Sequence, residues 1–440
     1  MGAKSFYRLL VVLGALSILY VAYRVTLMRM VETRLDEIRN RHEPTTLIEL
    51  GTGLVHPAAE DNAALLYLQA FTKYSKFTFA EDDPRGKLLP VVGFAKLPLR
   101  GGNLPGEMHT AIAQYLAENM EALKLLHAGT NRSQCRYPVE YSKGIATLPK
   151  HLAMVRQGAR LLLLESLLRA DTGDTAGAVE SLKAGAAIAK SAGSDPMLIA
   201  HLVRIACQIL SNDGLGRVLS RGQLTDAQLA DLETIWAGLA EPNAIVPVMI
   251  GERCFGVTAC ETLRKLPLKD RGQIGWFVGD GKGGSYGVYY LYRFGGLSDL
   301  ELIDYLPILN GYIQVCRLPL EQRPAAVKSV CVAITPPSRL HFLARGLADA
   351  LDNAILKDVR HLTQLQAAIM AVRVERYRLN HGELPISLDA MSEPVSADPF
   401  ANQPLRYKKL SKGYVVYSVG ENGKDDDGDE KKDIAFTVER

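Results

Sequence analysis

The feature that most constrains this chain is an apolar run close to its first residue. Lys4 and Arg8 precede an uncharged, mostly apolar stretch, 9–23. Arg24 interrupts it, and it resumes as Val25-Thr26-Leu27-Met28. Counted to Met28, the segment has the roughly 20-residue length that a helix needs to cross about 30 Å of hydrocarbon. Arg8 and Arg24 then fall toward the two interfaces, where long cationic side chains snorkel, and Tyr7, Tyr20 and Tyr23 fall at headgroup depth. The expectation is one membrane-spanning helix over 1–28, followed by a juxtamembrane linker over 29–59 that begins in a charged stretch. A cleaved signal peptide and a buried soluble helix are the rivals. No small-x-small site follows the run, whose exit reads Tyr20-Val21-Ala22-Tyr23-Arg24. No cysteine follows it either, which sets a lipoprotein aside. Arg24, Arg29, Arg34, Arg39 and Arg41 outnumber Lys4 and Arg8, so the positive-inside rule argues against a cytoplasmic N-terminus.

Beyond the anchor, 440 residues with 48% hydrophobic and 22% charged residues can bury a real core and hold two or three domains. A net charge of +3, with acids and bases interspersed, supplies no basic field, and no nucleic-acid partner is expected. The body, 60–345, reads as helices joined by polar breaks. Leu152, Val155, Ala159, Leu162, Leu163, Leu167 and Leu168 mark one buried helical face. Asp171-Thr172-Gly173-Asp174 breaks that helix, and Asp174 is placed to N-cap a second, so an antiparallel pair follows. The pair is similar to a tetratricopeptide-type hairpin, but no second copy appears at a fixed period, which favours a bundle or irregular solenoid. Thr225-Asp226-Ala227-Gln228 is a capping-box pattern opening another helix, with Trp236 on its core face.

Signals for catalysis are sparse. Nine histidines are scattered without an HExxH pair, and there is neither a GxSxG elbow nor a GxGxxG turn. Gly279-Asp280-Gly281-Lys282-Gly283-Gly284-Ser285 lacks phosphate-loop spacing and reads as a flexible loop. The six cysteines have no CxxC and read as buried thiols. A non-enzymatic protein is expected; an envelope hydrolase is the alternative, should His, Asp or Glu converge on one concave pocket.

The last stretch, within a C-terminal domain placed at 346–440, has a pattern of its own. A long helix ends near Asn380-His381-Gly382, where Gly382 suits a left-handed cap and Pro385 bars continuation. Asp398-Pro399-Phe400-Ala401-Asn402-Gln403-Pro404 is a turn cluster. Leu405-Arg406-Tyr407 and Tyr414-Val415-Val416-Tyr417-Ser418 read as strands joined by a hairpin, and 433–438 as a third strand, giving a helix followed by a three-strand meander. Between the last two strands, 419–430 packs six carboxylates and the Asn422 amide into one glycine-punctuated loop, whose like charges repel unless solvated or neutralised. A hard cation such as Ca²⁺ would neutralise them. The spacing is not that of an EF-hand, and a solvated acidic turn is the plain alternative.

The order of these features, from Tyr377 through Gly382 and Pro385, Asp398-Pro399-aromatic, Pro404-Leu405-Arg406-Tyr407 and Tyr417-Ser418-Val419-Gly420 to the acidic loop and Asp433-Ile434, resembles the C-terminal domain of the major type II secretion pseudopilin. That resemblance implies a calcium site in the loop: a backbone carbonyl from Val419, Asn422 where the family has Asp, and Asp433 before the last strand. Asp425, Asp427 and Asp429 are local candidates without a family match. The likeness covers about one sixth of the chain. The segment 6–28 lacks both the Gly-aromatic junction and the early glutamate of a pseudopilin, so a pilus subunit is not expected. The resulting picture is a mainly α, single-pass protein of the bacterial inner membrane, its bulk outside the cytoplasm where calcium is plentiful. It touches lipid through one N-terminal helix and carries protein contacts or a secretion-related accessory role.

Overall fold

A computed structural model describes residues 3–75, 83–270, 272, 286–333, 342–391 and 393–440. The glycine-rich segment 279–285 lies outside them. The helices are α1 (Ala3–Arg39), α2 (Leu47–Thr52), α3 (Ala63–Phe71), α4 (Pro84–Leu88), α5 (Gly106–Glu118), α6 (Met120–Gly129), α7 (Leu152–Asp171), α8 (Thr175–Ser191), α9 (Leu198–Arg221), α10 (Asp226–Leu239), α11 (Ile245–Lys265), α12 (Tyr286–Arg293), α13 (Leu297–Arg317), α14 (Arg323–Ala333) and α15 (Phe342–His381). The strands are β1 (Ala397–Asp398), β2 (Gln403–Pro404), β3 (Arg406–Leu410), β4 (Gly413–Ser418) and β5 (Ile434–Glu439). The chain is mainly α with a small antiparallel β region at its end.

Helix α1 is long and apolar enough to cross a membrane, and its first part stands clear of the body. Leu9, Leu10, Val11, Val12, Leu13, Leu16, Ile18, Leu19 and Val21 are all exposed. At about 1.5–3 kcal/mol per large apolar side chain left in water, roughly half exposed, this face costs on the order of 10 kcal/mol unless something apolar covers it. The helix does not stop where the linker was expected. It runs on to Arg39, and Val31, Leu35 and Ile38, at helical spacing, are buried with Leu306, Leu309, Tyr312 and Ile313 of α13. Arg24 pairs with the buried Asp299 at 2.7 Å. Glu43, just past the helix, pairs with the fully buried Arg253 at 2.8 Å and with Arg317 at 2.6 Å. The stretch 29–59 is therefore tied to the body from its first turns.

The sequence signals in the body hold. Helices α7 and α8 form the expected pair, and Asp174 caps α8 by accepting a hydrogen bond from the Gly177 amide at 2.9 Å. Thr225 and Gln228 form both halves of a capping box on α10. Trp236 is fully buried, its Nε1 donating to Asn212 Oδ1 at 2.9 Å. Cys207, Cys254, Cys260 and Cys316 are buried free thiols and Cys135 is half-buried; Cys331 has no described side chain.

At the C-terminal end, Gly382 adopts φ +80° and its amide donates to the Arg378 carbonyl, ending α15. Strands β3, β4 and β5 form the expected meander in the order β3-β4-β5, with Tyr414 opposite Val438 and Val416 opposite Phe436. The β3-β4 hairpin turns at Ser411 and Lys412, with Leu410 paired to Gly413. The meander does not stand apart. Tyr414, Val416, Phe436 and Val438 share one core with Leu365 to Val374 of α15 and with Leu215, Val218 and Leu219 of α9. A small sheet needs such a helical partner to be stable.

Candidate metal centre and buried polar clusters

The acidic loop leaves β4 at Ser418 and returns at Asp433. Its entrance is organised by Asp398, a fully buried member of the turn cluster. Asp398 Oδ1 accepts from Ser418 Oγ at 2.7 Å and from the Phe400 amide at 2.9 Å, and Oδ2 accepts from the Val419 amide at 3.1 Å. One carboxylate thus ties the turn cluster to the end of β4, a role that the sequence did not reveal.

Within the loop, most charges meet a specific base. Asp425 pairs with Arg406 Nε at 3.1 Å and accepts from Tyr417 OH at 3.1 Å. Asp427, in the left-handed region at φ +64°, pairs with Lys408 at 3.1 Å. Asp426 pairs with Lys432 at 3.0 Å, and Glu430 pairs with Arg100 from the body. The Asn422 and Asp429 side chains hold turns, accepting from the Lys424 and Lys431 amides at 2.9 and 3.0 Å. Val419 is buried at the loop entrance. Repulsion in the loop is thus relieved largely by cations that lie elsewhere in the chain.

Asp433 differs from the others. It is buried, Oδ2 accepts from the Gly428 amide at 2.8 Å, and Oδ1 has no hydrogen-bond partner. Burial pushes its pKa above the usual carboxylate range. The amides of Gly428 and Asp426 oppose that rise, and the charges of Asp426 and Asp425 add to it. Among the described residues, no group of three or more His, Cys, Asp or Glu side chains converges as a metal site. For the calcium that the resemblance implies, the donor chemistry fits at Asp433, where an unpartnered buried oxygen faces acidic neighbours. It fits poorly at Asp427 and Asp429, which are turned to Lys408 and to a backbone turn.

The body carries two buried His-Asp pairs. His151, stacked on Tyr137 at 3.8 Å between ring centres, has Nε2 3.3 Å from Oδ2 of the fully buried Asp195, whose Oδ1 accepts from Tyr141 OH at 3.1 Å. His151 lines an open cavity of about 380 Å³ with Glu140, Lys143, Lys150 and apolar residues, none of which carries a hydroxyl or thiol. The second pair, His201 Nε2 and Asp358 Oδ1 at 2.8 Å, lies with Arg323 and His361 in the interior where α9, α14 and α15 meet. His361 Nε2 is 2.7 Å from Gln208 Oε1, and burial beside Arg204 and His201 lowers its pKa to about 3. Burial pushes the thiols of Cys135, Cys207, Cys254 and Cys316 up to about 12, so none supplies a thiolate near neutral pH.

No protein-family model matches the chain, and no curated protein or solved structure matches it.

Proposed function

We propose that this chain is a non-enzymatic, single-pass protein of the bacterial inner membrane. Lipid around α1 holds it, its bulk lies outside the cytoplasm, and it carries protein contacts or a secretion-related accessory role. The observation that carries the proposal is α1 itself: apolar side chains exposed over a membrane-spanning length, then a continuation locked to the body by Arg24, Val31, Leu35 and Ile38. A mobile signal sequence has no need of that lock. The terminal meander, with its resemblance to the pseudopilin domain, is the module offered to partners. Calcium, when bound at its loop, supplies positive charge to the carboxylates. Asp433 would hold it, with Asn422 and the Val419 carbonyl as the donors that the resemblance adds and Asp425 as a neighbour.

The test is fractionation of the full chain expressed in a bacterium. The chain should remain in the membrane after alkaline carbonate extraction, and a phosphatase fused after Arg440 should be active, as that enzyme is only outside the cytoplasm. Release by carbonate would refute the anchor, and an inactive phosphatase on a membrane-held chain would refute the orientation.

A second reading, hydrolysis, rests on His151, which lines the open cavity with its Nε2 3.3 Å from the buried Asp195 carboxylate. With no hydroxyl or thiol in the lining, this reading has His151 activate water. Turnover of a panel of nitrophenyl esters that is lost in His151→Gln would favour it.

A further inference from the structure

Helix α12 has two apolar faces. Tyr289 and Tyr292 are buried against Leu263, Leu266 and Leu297, as a helix packed on a protein core requires. The opposite face carries Tyr286, Tyr290 and Leu291, and Phe294 follows just past the helix; these are 55%, 49%, 42% and 50% exposed. Tyr290 and Phe294 are stacked at 6.1 Å, and the Arg293 guanidinium lies 5.5 Å from the centre of the Phe294 ring. An outward cluster of three aromatic rings and a leucine is not the face of a helix selected to meet water.

Its position says what covers it. The Phe294 carbonyl accepts from Tyr20 OH at 2.7 Å, the Gly295 carbonyl accepts from Tyr23 OH at 3.4 Å, and Asp299 pairs with Arg24 at 2.7 Å. The α12 surface is therefore fixed against α1 where the apolar run ends. At 1.5 Å per residue, Lys4 and Arg24 are about 30 Å apart along the helix, the thickness of the hydrocarbon core, which sets Arg24 at one boundary. Tyr20 lies about 6 Å inward of that boundary, within the roughly 5–10 Å depth that an interfacial helix reaches. Rings that bridge apolar and polar layers, with an arginine beside them, are the side chains that such a layer favours.

We infer that α12 and Phe294 lie in the lipid interface beside α1, as a second, non-spanning contact that seats one face of the body on the bilayer. This rests on the reading of α1 as an anchor, and the two can fail separately. The full chain is reconstituted in vesicles of phosphatidylethanolamine and phosphatidylglycerol containing a lipid with a diazirine just below its glycerol, then photolysed, digested with trypsin and analysed by mass spectrometry. The expected result is label on α1 peptides and on the peptide carrying Tyr286, Tyr290 and Leu291, with none on the peptide carrying Ile386, an 89% exposed residue of the C-terminal module. In Tyr290→Asp/Phe294→Asp, label on the α12 peptide should fall to the Ile386 level while α1 labelling is unchanged. Label on α1 but not on α12 overturns the inference and leaves the anchor; if a second copy covers the face instead, the same pattern comes with a dimer that this double variant dissociates. No label on α1 overturns the anchor reading, and this inference with it.

Discussion

Replacing Asp398 should open the meander without melting the helical body. In Asp398→Ala, three hydrogen bonds to a carboxylate vanish together. The half-buried Phe400 amide can turn to water, but Ser418 and Val419 are buried and keep an unmet hydroxyl and an unmet amide. At about 1–3 kcal/mol for each buried polar group left unsatisfied, the loss comes to about 4 kcal/mol. Asp398→Asn keeps one acceptor oxygen but sets an NH₂ against the Val419 amide, for a loss of about 2 kcal/mol. The assay is hydrogen exchange of the full chain, followed on peptides covering β4 and β5. About 4 kcal/mol corresponds to a roughly thousandfold drop in protection there, since a tenfold change is about 1.4 kcal/mol. Helix α7, whose buried face lies in a core that contains no residue of the meander, should keep its protection. Unchanged exchange of β4 and β5 in Asp398→Ala would refute the assignment of Asp398 as the tie between turn cluster and sheet.

Gly413→Ala should disrupt the edge of the β4-β5 ladder by about 2–4 kcal/mol, because Gly413 sits at φ +105° and a Cβ there would lie 1.9 Å from the Val438 carbonyl oxygen; exchange at Val438 and Glu439 reports it. If calcium binds with a Kd of about 10⁻⁴ M, 1 mM should raise β5 protection about tenfold over chelator, and Asp433→Asn should abolish the difference; equal protection in the wild type refutes the metal site. Without calcium, the raised pKa of Asp433 means that its contribution to stability is fully present below the ordinary carboxylate pKa and is lost as pH rises through the folded value, so β5 protection should decline with pH over that window. His361 carries the opposite sign. Its folded pKa of about 3 lies below the unfolded value, so stability present above pH ~6.5 is lost as pH falls, by about 3 kcal/mol near pH 4.5; a thermal-melt series in which His361→Gln shows the same slope would refute that.

What could be read from the sequence was what neighbours along the chain decide. The apolar stripe of α7, the cap at Asp174, the box at Thr225 and Gln228, the Gly382 stop and the alternating strands all depend on residues within a few positions, and the structure places each as expected. The docking of α1 beyond Met28 was written in Val31, Leu35 and Ile38, but the arginines and acids around them masked a narrow stripe. The rest required contacts between distant segments. Asp398 lies 20 residues from Ser418, His201 lies 157 from Asp358, and Arg100 lies 330 from Glu430, so neither the buried keystone, nor the inner His-Asp pairs, nor the bases that neutralise the loop leave a local signature.

Helix α15 joins these parts and limits what the loop can do. Leu351 and Ile355 lie in the core that holds Val31, Leu35 and Ile38 of α1, and Leu365 to Val374 form the floor of the meander. The distance along the helix from Leu351 to Val374 is about 35 Å at 1.5 Å per residue, an uninterrupted rod between the α1 contact and the meander. Because the meander draws its core from α9 and α15, its fold does not wait on a metal. A cation at Asp433 would stabilise the loop and β5 over a floor that is already rigid. The effect of calcium is therefore expected in local exchange around β5 and not in the global melt. A calcium-dependent melt of α7, whose core holds no residue of the meander, would mean that the module and body are coupled far more tightly than a shared helix floor accounts for.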